Sequence, residues 1–63
     1  MASPTGLLED RIREFRYRRG WTQKQLAVVV GVHPRTILRA EAGEPLSPQT
    51  LYRLEEVLKK EAA

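Results

Sequence analysis

Apolar residues recur at helical spacing in four separate windows of the chain. Leu8, Ile12 and Phe15 fall at i, i+4 and i+7, which places them on one face of a helix running to about Arg19. Leu26, Ala27 and Val30 form a second inward face. Ile37 and Ala40 form a third, with Val32 just ahead of it, and Leu51, Leu54 and Leu58 a fourth at i, i+3 and i+7. At about 100° per residue Val28 points nearly opposite Leu26, so part of the valine run 28–30 is predicted to face solvent.

The breaks between these windows carry their own chemistry. Residues 1–6 read as a short arm, with Ser3-Pro4 or Thr5 as alternative starts for the first helix. Gly20 ends that helix in the manner of a C′ residue. Thr22, followed three residues later by Gln25, is a capping box, and Trp21 and Leu26 are placed as a hydrophobic staple. Gly31 stops the second helix. The third begins at Pro34, whose missing N–H has no use in a first turn. His33 stands at its N-cap, a weaker choice than Ser or Asp, and Gly43 ends it. Ser47-Pro48 opens a fourth helix that reaches about Lys60, leaving residues 61–63 as a tail. The expected fold is all-α: one domain over residues 7–60, a compact bundle of four short helices without internal repeats.

Size and charge narrow the picture. The chain has 63 residues and no cysteine, so no disulfide or thiolate metal site supports it. A domain this small buries only about 60% of its unfolded surface. Residues 1–43 carry eight basic against four acidic side chains, whereas residues 44–63 carry three against four. A basic N-terminal two thirds suits a polyanion, and equally a merely solvated surface. No apolar run approaches the roughly 20 residues of a membrane span. A soluble, cytoplasmic setting is the default expectation.

The second and third helices are each about nine residues and meet at Gly31-Val32-His33. A short helix pair with a glycine turn is the layout of a helix-turn-helix, whose second helix enters the DNA major groove. The stretch "RIREFRYRRGWTQKQLAVVVGVHPRTILRAEAGE", followed by "SPQTLYRLEEVL", resembles the Cro/phage-repressor (XRE-like) type of DNA-binding domain over about residues 8–58. The matching elements are Thr22-Gln23, Leu26-Ala27, Gly31-Val32, Thr36-Ile37, Arg39, Glu41-x-Gly43 and the Thr50-Leu51, Leu54, Leu58 pattern. Their order and spacing together carry the resemblance.

That resemblance implies a lambda-repressor-like bundle and a set of roles. Pro34, Arg35 and Arg39 match positions that meet base edges. Leu38 lies among them, suited to a thymine methyl or to a neighbouring side chain. Gln23 matches a position that contacts backbone phosphate. Lys24, His33 and Thr36 are further candidates for the backbone, as are Arg18, Arg13 and Arg19, which equally serve as solubilising charge. Arg16 and Glu41 match a salt bridge between helices one and three, and the apolar periodicity independently puts both on core edges. The family usually has a larger aliphatic residue where Ala40 stands, so Trp21 or Phe15 is expected to complete the packing there.

Other readings stand beside this one. With a single histidine and no cysteine, metal binding is not expected, nor is a cofactor. No constellation for nucleophilic or acid–base catalysis is present, so the chain does not read as an enzyme. Val28 and Val29, with Tyr52 and Val57 on the last helix, are candidates for a protein interface; the bland reading of each is a scattered surface apolar residue. The expected function is a sequence-specific, repressor-like transcription regulator, bacterial or phage-encoded and nucleoid-associated. It would bind double-stranded DNA as a homodimer, with RNA polymerase or another protein as a further partner. The alternative is a protein-interaction adaptor or antitoxin-like module with only non-specific DNA affinity.

Overall fold

The computed structural model describes residues 7–62, which form four helices: α1 (Leu8–Arg19), α2 (Gln23–Val30), α3 (Pro34–Glu41) and α4 (Pro48–Ala62). The four-helix, all-α expectation holds, with a difference at the end of α4. α1 opens at Leu8 from an extended Leu7 that provides no side-chain cap; the alternative starts at Ser3-Pro4 and Thr5 lie outside the described residues. Glu9 and Asp10 in its first turn face the positive end of the helix dipole instead. α4 continues to Ala62, so residues 61 and 62 extend the helix where a tail was expected.

The inner boundaries follow local chemistry closely. Thr22 and Gln25 complete a reciprocal box: the Thr22 hydroxyl accepts from Gln25 N–H at 3.1 Å, and Gln25 Oε1 accepts from Thr22 N–H at 2.8 Å. Gly20 (φ 67°) and Gly31 (φ 88°) adopt the left-handed conformation that ends α1 and α2, which costs glycine nothing and other residues more. Ser47 caps α4 by accepting from Thr50 N–H at 3.2 Å.

Ile12, Leu26, Ala27, Ile37 and Leu54 are fully buried where the helices converge, with Val30, Ala40 and Leu58 nearly so. Phe15, Trp21, Val32 and Leu46 pack around them, and Phe15 meets Trp21 edge-on with ring centres 5.9 Å apart. One expectation is corrected by the geometry around Ala40. Ala40 belongs to the core cluster against which Phe15 and Trp21 pack. It borders an open groove of about 250 Å³ lined also by Leu8, Leu46 and Leu51. Leu51 accordingly stands at a groove rim, 39% exposed, rather than on the buried stripe with Leu54 and Leu58.

Truncating Leu54 tests this core. Leu54→Ala removes a side chain with no solvent exposure and is expected to cost about 2–5 kcal/mol. So small a domain has little margin. Urea unfolding followed by helical circular dichroism should show the midpoint falling sharply, to a largely unfolded chain at room temperature.

Candidate nucleic-acid interface

The presentation of α3 begins with a carboxylate. Glu41, at its last turn, has 7% of its side-chain surface exposed, and Arg16 of α1 has 13%. Arg16 Nε donates to Glu41 Oε2 at 2.7 Å and Nη2 to Oε1 at 3.0 Å, a two-pronged pair. Arg16 Nη1 also donates to the carbonyl of Trp21 at 3.2 Å, while Trp21 N–H donates to the Arg16 carbonyl at 3.0 Å. Hydrogen bonding to Glu41 holds the Arg16 guanidinium above its ordinary pKa, against the opposing effect of burial. A raised pKa contributes stability below the unfolded value that is lost only as pH rises through the folded one. For a guanidinium both lie above the range in which the protein is handled, so Arg16 stays charged throughout.

Two further donors meet the same helix end. Gln23 Nε2 donates to Glu41 Oε1 at 3.2 Å, and Arg13 Nη2 donates to the Glu41 carbonyl at 2.7 Å. Glu41 thus binds α1, the first residue of α2 and α3 at one point. Sequence reading anticipated the Arg16–Glu41 pair but not these two partners. For Gln23 a signal was present: a buried carboxylate needs more than one donor, and Gln23 stands where α2 begins.

The other end of α3 is fixed by His33. Its Nδ1 accepts from Arg35 N–H at 3.0 Å, so the expected N-cap is made by the ring itself. Behind the turn, Arg53 Nη1 of α4 donates to the Gly31 carbonyl at 3.1 Å. No local pattern marks that contact, which joins residues 22 apart. Arg11 and Glu55 similarly link α1 to α4 at 3.1 Å on the surface.

Between these fixed ends α3 turns Arg35, Leu38 and Arg39 outward, all exposed, with Pro34 and Thr36 half-buried at its flanks. The Arg35 side chain makes no hydrogen bond or ion pair within the described residues. Glu44 Oε1 lies 4.0 Å from Arg39 Nε, both side chains being more than half exposed. Lys24 is exposed at the start of α2, beside the half-buried Gln23. Arg18 pairs with Glu14 at 3.2 Å on the open face of α1. Arg19 lies over the Phe15 and Trp21 rings, at 4.8 and 5.6 Å from their centres.

The proposed protein-contact residues separate. Val28 is 76% exposed, Val29 45% and Tyr52 66%. Val57 is half-buried and packs on the core, because it neighbours Leu58 and Leu54 on the inner side of α4. Among the described residues no helix is long and apolar enough to cross a membrane, and no group of acidic, histidine or cysteine side chains has the arrangement of a metal site.

In comparison with known protein families, the helix-turn-helix family model matches residues 12–63. That span contains the whole of α2, the glycine turn and α3. No curated protein and no solved structure matches the chain.

The Glu41 junction makes a quantitative claim. Arg16→Met or Glu41→Gln should each cost about 3–5 kcal/mol, because either leaves a charge stranded in a largely dry site. The double variant should lose clearly less than the sum. A double-mutant cycle by chemical denaturation measures the coupling, and additivity of the two losses would show the pair to be energetically idle.

Proposed function

The chain belongs to the helix-turn-helix family of DNA-binding regulators, and we propose that it reads specific double-stranded DNA sequences through the outward face of α3. The observation that supports this most is the pairing of fixation and freedom on one helix. Its ends are held by His33 and Glu41, whereas Arg35, Leu38 and Arg39 stand in solvent. A guanidinium there is able to grip a guanine edge with two hydrogen bonds, worth roughly 1–3 kcal/mol of discrimination.

Backbone contacts surround that face. The start of α2 offers free N–H groups at Gln23 and Lys24, because the box bonds consume those of Thr22 and Gln25; with the Lys24 ammonium they suit a phosphate. Since Gln23 Nε2 already donates to Glu41, the side chain contributes only its second amide hydrogen. Thr36 and His33 flank α3 for the same purpose, and Arg18 reaches a phosphate by leaving Glu14. These contacts set register; the α3 face sets sequence.

One domain of this size makes too few contacts for strong discrimination, so the active form proposed is a twofold dimer. Its half-sites would lie about 34–36 Å apart on the duplex. Repression by occupancy of the operator is the corresponding role. The exposed Val28, Val29 and Tyr52 supply surface for the second copy or for RNA polymerase.

Selection of bound duplexes from a randomised pool at physiological salt tests the reading. A recovered palindrome is the expected result, and an unenriched pool rejects it. With the selected duplex in hand, Arg39→Ala should lower specific affinity about tenfold and relax preference at one position, leaving non-specific affinity nearly unchanged. Lys24→Ala should instead weaken all duplexes alike and reduce the salt slope by about one.

A further inference from the structure

Every polar group that α3 turns outward is a hydrogen-bond donor. At about 100° per residue, positions 35, 38, 39 and 42 fall within an arc of about 100°, and all four are exposed. Arg35 and Arg39 have donors only. Leu38, 54% exposed, and Ala42 add aliphatic carbon, and Pro34 has no N–H. His33, at the N-cap just ahead of this face, is exposed and is a donor too. Its Nδ1 accepts from Arg35 N–H, so the proton of the neutral ring is on Nε2, which points away from that bond. The Thr36 hydroxyl lies about 60° round the helix from Arg39, off this face and half-buried.

The residues that commonly supply an acceptor beside a donor are missing or engaged. The chain contains no asparagine. Gln23 is half-buried on α2 rather than on α3, with its Nε2 donating to Glu41, and Gln25 Oε1 closes the box with Thr22. Gln49 is on α4. The carboxylate beside the face, Glu44, belongs to the loop after α3 and lies 4.0 Å from Arg39 Nε.

Base edges in the major groove differ in what they require. Guanine offers two acceptors, O6 and N7, and thymine a methyl group beside the O4 acceptor. Adenine and cytosine each present an amino donor that needs an acceptor from the protein. Resting on the DNA-reading function proposed above, we infer that each half-site is read at guanines and thymine methyl groups, and that adenine and cytosine enter only as their pairing partners. The two arginines are four residues apart, about 6 Å along the helix, so their guanines stand roughly two base-pair steps apart. Leu38, between them on the same face, takes the thymine methyl.

The test uses the full chain and its selected duplex with one atom altered at a time. Replacing a conserved guanine by 7-deazaguanine removes N7 and should cost about tenfold in affinity. Replacing the conserved thymine by deoxyuridine removes the methyl and should cost severalfold, and Leu38→Ala should abolish that difference. 7-Deazaadenine should be without effect at every adenine. Arg39→Ala should erase the response at one guanine and keep it at the other. An adenine whose 7-deaza form costs as much as guanine's overturns the inference while leaving sequence-specific binding intact. A pool that yields no enriched duplex removes the underlying function and the inference with it.

Discussion

The carboxylate of Glu41 is the constraint on which the arrangement depends. It is nearly buried in a domain too small to dilute an uncompensated charge, and it accepts from Arg16 twice and from Gln23 once. Because those donors come from α1 and α2, satisfying the charge also sets how α3 lies across both. Apolar packing of Ile12, Leu26 and Ile37 supplies the main drive to collapse, but it tolerates small rotations of one helix on another. A fork of directed hydrogen bonds does not. Burial provides adhesion here, and the ion pair provides angle.

The two ends of α3 use different physics to the same effect. At the start, the His33 ring takes up one of the helix's free N–H groups. At the finish, Arg13 takes up a carbonyl, placing positive charge where the helix dipole is negative. Arg53 adds a bond to the turn itself from α4. The outward face between these points is left with side chains whose chemistry is not spent on the fold.

How much of this was legible in the sequence depended on range. Thr22, Gln25, Gly31 and Pro34 announce their roles within a few neighbours, since caps and turns are governed by local bonds, and the helices of the centre fall where those residues put them. The partnership of Arg16 and Glu41, 25 residues apart, follows from periodicity and family resemblance together. Arg53 with Gly31, Arg13 with the Glu41 carbonyl and the turn of Gln23 toward Glu41 were not legible. Each depends on how helices cross, and an exposed arginine has the same sequence signature whatever it touches. Leu51 and Val57 show the complementary limit: a stripe read at idealised spacing does not resolve which residues at its margins are covered.

A helix held at both ends approaches a partner as a rigid body. In the proposed complex the protein has little means of adapting to a groove of the wrong width, so adaptation falls on the duplex. Its stiffness then enters the affinity directly, including at base pairs no side chain reaches. The small bundle would in that way sense the mechanics of a sequence as well as its letters.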